Sequence, residues 1–280
     1  MPENILDISD NFDLYVFDIY GVLWNGKNVI SGADRTLEAL KKAGKKVLIM
    51  SNGTVLSSQI EAGYAKRGFV KGRHYDRIVS SGDAYHAYVI NDKRALRFYQ
   101  FGRPSGVLFE GSRYVEQEAP EDADFVYAGV PQTFDGEIWR DYLTIEPFAE
   151  ELLQLIKMGK ALVCVNPDMK AFENQYDEPV IRQGSVAKFY AENGGDVEYW
   201  GKPYGNIYDY ALRDDPTPRK RMLMIGDTLQ TDILGGKNYG MKTVLIRRGI
   251  SEMNMREAGM TDIRAYAQSL DIVPDYIFEP

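Results

Sequence analysis

The chain predicts an α/β fold: a three-layer, Rossmann-like parallel-sheet core with an inserted α/β cap domain. Three observations predict it. Short apolar runs alternate with amphipathic helical stretches. Polar residues follow several of those runs directly. A gap of 151 residues between two of these polar points leaves room for a second domain. With 44% apolar residues in 280, the chain can bury a large core.

The elements follow in order. Leu14–Phe17 reads as a buried strand. Ala33, Leu37 and Leu40 mark one helix face, which Gly44 ends. Val47–Met50 is the next strand, Ser57 caps a helix that stops at Gly68, Ile78–Ser80 is a third strand and Ala84–Ile90 a helix. A second series reads Val107–Glu110, Phe125–Val130 and Ala161–Val165 as strands, with Phe148–Met158 an amphipathic helix and Glu116–Asp124 an acidic loop. The first series then resumes: strand Val197–Trp200, helix Ile207–Leu212, strand Met222–Ile225, helix Thr231–Tyr239, strand Thr243–Ile246 and a last strand at Tyr276–Phe278.

Composition narrows the function. The net charge of −8 argues against nonspecific binding of nucleic acid or anionic membranes. The single cysteine, Cys164, excludes an internal disulfide, and with only His74 and His86 it cannot build a thiolate–imidazole metal site. The start Met1-Pro2-Glu3-Asn4 lacks a secretory pattern, and no apolar run approaches membrane-spanning length, so the expected location is cytoplasmic.

Four polar residues stand directly after, or one residue beyond, apolar strands: Asp18, Ser51, Lys202 and Asp227. In an open parallel sheet the carboxyl ends of the strands form the ligand crevice, so parallel neighbours would bring these side chains together. Their types suit one reaction. A carboxylate can attack phosphorus and form an acyl phosphate that water cleaves. Two carboxylates and a phosphate oxygen suit Mg²⁺, a hard cation that keeps several waters. A lysine adds a point charge, and Ser51-Asn52-Gly53-Thr54 offers a hydroxyl and backbone N–H groups to phosphate oxygens.

These residues resemble the haloacid dehalogenase (HAD) superfamily, in particular its large-cap class IIA, NagD-like phosphatases. The resemblance lies in Val16-Phe17-Asp18-Ile19-Tyr20-Gly21-Val22-Leu23, Ser51-Asn52-Gly53, Gly201-Lys202-Pro203 and Gly226-Asp227-Thr228-Leu229-Gln230-Thr231-Asp232-Ile233, which occur in the family's order across nearly the whole chain. Val165-Asn166-Pro167-Asp168 resembles a loop on that group's cap. The resemblance implies Asp18 as nucleophile and metal ligand, the Tyr20 backbone carbonyl and Asp227 as further ligands, and Asp232 as support for the metal through water. It implies Ser51, Asn52, Gly53 and Lys202 as phosphoryl binders, Lys202 also as the group that orients Asp18, and Asn166 and Asp168 as cap residues near substrate. The implied cofactor is Mg²⁺ and the implied partner a small phosphorylated metabolite of the sugar-phosphate or nucleotide class; a cap-mediated homodimer follows by analogy. The short stretch of 33 residues from Asp18 to Ser51 puts the inserted cap in the later gap, at 83–184, with 1–82 and 185–280 forming the core.

One position departs from the pattern. The family phosphatases place a second aspartate two residues after the nucleophile, as general acid and base; this chain has Tyr20. An ordinary tyrosine pKa of about 10 suits that task poorly near neutral pH. The expectation is therefore a slow phosphatase. The alternatives are a protein that binds a phosphometabolite without turnover, or a carbon–halogen hydrolase, whose family members also carry Asp-x-Tyr-Gly.

Overall fold

A computed structural model describes residues 4–104, 107–172 and 178–279. The chain divides into two compact units. One holds the residues up to Ser51, Ser57–Val79 and those from Lys202 onward; the other holds Asn52–Leu56 and Ser80–Gly201.

The first unit is built on a six-stranded sheet in the order Tyr276–Phe278, Lys242–Ile246, Met222–Gly226, Leu14–Phe17, Lys46–Ser51, Arg77–Ser80. Leu14–Phe17 is the hinge of that order. It pairs in parallel with Lys46–Ser51 on one side and with Met222–Gly226 on the other, so the chain's path reverses direction beside it. Such a reversal opens a crevice at the carboxyl ends of the two strands. The strand is apolar throughout because both faces are covered. Successive side chains point to opposite faces: Tyr15 and Phe17 pack with Leu37, Leu40 and Val47, whereas Leu14 and Val16 pack with Ile207, Tyr208 and Met224. The helix Ala33–Lys42 turns its Ala33, Leu37 and Leu40 stripe inward and carries Asp34 in its first turn and Lys41 and Lys42 in its last, matching the helix dipole.

The second unit has its own parallel sheet, in the order Val197–Tyr199, Ala161–Cys164, Phe125–Ala128, Arg97–Phe101, Val115–Gln117. Helices Ala149–Lys157 and Gln183–Glu192 pack through Leu152, Leu155, Val186 and Tyr190 against Val126, Leu162 and Cys164. Cys164 is buried and its thiol is held in the neutral form by loss of water.

The fold departs from the sequence reading in several places, among them the strand Val115–Gln117, which enters the expected acidic loop. Val107–Phe109 is a single 3₁₀ turn rather than a strand, and Arg97–Phe101 is the strand there. The Phe109 ring stacks on Phe98 at 3.9 Å and Leu108 is fully buried, so this turn covers a face of the sheet instead of joining it. Val197–Tyr199 pairs with Ala161–Cys164 in the second sheet, so it is not a neighbour of Leu14–Phe17. For the same reason the second unit is wider than 83–184: the helix Gln183–Glu192 and this strand complete it as far as Gly201. Among the described residues no helix is long and apolar enough to cross a membrane.

Candidate active site

Parallel register fixes the centre of the site. Phe17 is aligned with Ile225, and the Asp18 N–H donates to the Ile225 carbonyl at 2.9 Å. Asp18 and Asp227 therefore leave adjacent strands at nearly the same level. Asp232 reaches the same spot from the π-helical turn Leu229–Ile233, where the Thr228 carbonyl accepts from both Asp232 N–H (3.0 Å) and Ile233 N–H (3.2 Å). Such wide turns recur at functional sites because they re-aim a side chain. One carboxylate oxygen from each of Asp18, Asp227 and Asp232 falls within 4.8 Å of the others.

Lys202 is the counter-charge. Its ammonium is buried and donates to Asp18 Oδ1, to Asp232 Oδ1 at 2.7 Å and to the Met50 carbonyl at 3.2 Å. The lysine thus uses all three of its protons on protein oxygens and ties Asp18 to the end of the Lys46–Ser51 strand. Although the strand before it lies in the other sheet, Lys202 belongs with the first unit and completes this cluster.

Asp227 is held from both sides. Its Oδ1 accepts from the Thr228 hydroxyl at 2.9 Å and its Oδ2 from the Ile250 N–H at 3.0 Å. Ser251 Oγ accepts from the Leu229 N–H at 2.8 Å, and Ser251 N–H donates to the Asp227 carbonyl at 3.3 Å. Two glycines make room for it. A methyl group on Gly249 (φ +65°) would lie 1.7 Å from Asp227 Oδ2, and one on Gly21 (φ +77°) 2.2 Å from the same atom. Both positions also have left-handed backbone, which other residues adopt at a cost.

Three largely buried carboxylates share one lysine. Burial pushes the Asp18 carboxyl well above its usual range. Lys202 pulls it back and the charges of Asp232 and Asp227 push it further up. Burial, and then repulsion from Asp232, raises Asp227 to about 7. The donor set is hard, anionic and over-charged, which is the chemistry a small divalent cation fits.

The other expected residues fall into two groups. Ser51 is buried at the end of its strand, in the first unit. Tyr20 is 47% exposed on the turn after Asp18, which is closed by Leu23 and Trp24 N–H groups on the Ile19 carbonyl. Asn52, Gly53, Asn166 and Asp168 lie in the second unit. There Asn52 Nδ2 donates to Asp168 Oδ1 at 2.9 Å, and Asn52 Oδ1 accepts from Ser81 Oγ at 3.2 Å. Asn166 Oδ1 accepts the Asp168 N–H at 2.9 Å, a local turn that sets the Asp168 loop. The sequence reading missed the Gly249–Ser251 brace and Thr228. Their types carry no reactive chemistry, and Thr243–Ile246 gave no sign that its next residues support Asp227.

The chain is similar to known proteins over most of its length. Residues 15–115 match the haloacid dehalogenase-like hydrolase family and residues 199–277 a HAD-hydrolase-like family. Chronophin of Mus musculus is 30% identical, over 94% of this chain and 89% of its own. Phosphoglycolate phosphatase 2 of Arabidopsis thaliana is 28% identical, over 91% of this chain and 90% of its own. A solved haloacid dehalogenase-like hydrolase from Brucella suis superposes with a TM-score of 0.81 at 24% identity, covering 99% of this chain and 98% of that one. The chain belongs to the haloacid dehalogenase-like hydrolases, in their class IIA, NagD-like phosphatase group. It is a phosphatase-type hydrolase.

The charge balance has a measurable consequence. With a folded pKa of about 7 against an ordinary 3.8, Asp227 costs nothing below the ordinary value, where both states are protonated. As pH rises toward 7 the unfolded chain ionises first, and folded stability is lost until the folded pKa is passed. In metal-free buffer, Asp227→Asn is therefore expected to raise the melting temperature at pH 8 and to leave it nearly unchanged at pH 4. Thermal melts in EDTA at the two values check this; an equal shift at both would contradict it.

Proposed function

We propose that the chain is a Mg²⁺-dependent phosphomonoesterase acting on a small phosphorylated metabolite through an aspartyl-phosphate on Asp18. The observation that carries this reading is the cluster itself: three carboxylates within 4.8 Å, with Lys202 bonded to two of them, at the carboxyl end of the sheet's central strands.

In this reading Asp18, Asp227 and the Tyr20 carbonyl hold the cation, and Asp232 supports it. When bound, Mg²⁺ would offset repulsion between the Asp18 carboxylate and an anionic phosphate. Lys202 fixes Oδ1 of Asp18, which leaves the other oxygen to attack phosphorus while the ester oxygen departs. Ser51 Oγ donates to a phosphoryl oxygen. Because the Asn52 side chain is engaged by Asp168 and Ser81, Asn52 and Gly53 would serve the phosphoryl group through their backbone N–H groups. Asp168 then acts by holding Asn52, with Asn166 shaping its loop. Water finally cleaves the aspartyl-phosphate, releasing phosphate and restoring Asp18. The name of a similar protein, phosphoglycolate phosphatase 2, supports a phosphomonoester substrate. Halide displacement, by contrast, gives the triple-carboxylate cluster no task.

Tyr20 limits the rate. Tyrosine is a far weaker acid than the aspartate the family places here, and the lack of a positioned acid costs about 10²–10⁴-fold. It also favours a second reading, in which phosphometabolites bind and are not turned over.

A panel of phosphomonoesters assayed for phosphate release decides between them. Turnover is expected with Mg²⁺ and not with EDTA, and Asp18→Asn is expected to abolish it. Calorimetric binding of a sugar phosphate without any release would favour the binding-only reading instead. In the same assay Tyr20→Asp is expected to raise kcat at least tenfold; a rate unchanged or lower would mean that Tyr20 is not the limiting position.

A further inference from the structure

Arg248 stands where local preference would not put an arginine. It is the residue before the helix Gly249–Glu257, and its side chain makes no cap there. That position favours Ser, Thr, Asp or Asn, and the positive end of the helix dipole repels a cation. A broken local rule with no local gain points to a task elsewhere.

The surroundings of Arg248 indicate the task. It follows the Lys242–Ile246 strand, next to Met222–Gly226, at the sheet edge that carries Asp227. The two residues after it touch Asp227: Gly249 packs on Oδ2 and Ile250 N–H donates to it. The guanidinium is partly desolvated and attracted by the Asp227 charge. Its Nε is buried with no hydrogen-bond partner, and among the described residues its side chain forms no ion pair. Arg247, its neighbour, also has a buried Nε without a hydrogen bond, but its guanidinium is ion-paired with Glu279 at 3.0 Å and Glu252 at 3.5 Å. Lys202 is fully committed to Asp18, Asp232 and Met50. Buried polar groups are seldom left unpaired, and a planar guanidinium matches a carboxylate or phosphate with two parallel bonds.

We propose that Arg248 is a specificity residue that binds a second oxyanion, carboxylate or phosphate, on the leaving part of the substrate. The proposal rests on the phosphomonoesterase reading and names the substrate class within it: phosphomonoesters that carry another negative group.

Binding of stable analogues tests it without turnover. In Mg²⁺ buffer, calorimetry compares methylphosphonate with phosphonoacetate and with methylenediphosphonate. The native chain is expected to prefer at least one of the doubly anionic ligands, and which one it prefers names the oxyanion. Arg248→Met is expected to cut that preference at least tenfold, and Arg248→Lys to keep part of it, having the charge without the fork. An unchanged preference, a native chain with none, or an equal loss for all three ligands would overturn the proposal, the last by marking Arg248 as mere support for Asp227. A chain that binds with this pattern yet releases no phosphate in the ester panel would sink the phosphomonoesterase reading while leaving the Arg248 assignment in place.

Discussion

Crowding of like charge governs this molecule. Asp18, Asp227 and Asp232 are buried together, Lys202 is the cation bonded to two of them, and Arg248 attracts Asp227 without pairing with it. Burying an unpaired carboxylate is costly, and stability alone would not select three of them. What holds them in place is geometry spread over the first unit. Register aligns Asp18 with the Met222–Gly226 strand, a π-helical turn delivers Asp232, and the Met50 carbonyl anchors Lys202. The apolar layers on both faces of the Leu14–Phe17 strand leave its end no freedom to relax.

The support for Asp227 comes mostly from backbone. Ile250 N–H, the Thr228 hydroxyl and the close approach of Gly21 and Gly249 confine the carboxylate without supplying a cation. A side chain at either glycine would displace the group it surrounds. Preorganised and under-neutralised, the cluster has the hard, anionic character that suits a small divalent cation, since electrostatic interactions strengthen as groups are buried.

Much of this was legible in the sequence because the informative residues are polar ones placed directly after buried strands. Asp18, Asp227 and Lys202 follow from their places just after strands, and Asp232 from the family resemblance. Other features were hidden for physical reasons. Lys202 follows a strand of the second sheet, because sheet membership depends on pairing partners that a strand's own residues do not reveal. The bond between Asn52 and Asp168 joins positions 116 apart, and nothing local announces it. Gly249 and Ile250 act through a missing side chain and an N–H group, which no residue type advertises. Phe98 and Phe109 belong together as stacked rings, so the apolar run at Val107 imitates a strand while serving as a cover.

The central claim is that Asp18 and Asp227 together hold one divalent cation, and calorimetric titration of Mg²⁺ into the native chain and into Asp227→Asn tests it most directly. At pH 8 the native chain should bind one ion, and binding at lower pH should weaken and release a proton as Asp227 becomes protonated below about 7. Asp227→Asn should lose at least tenfold in affinity. Equal affinity in the two proteins would contradict the account.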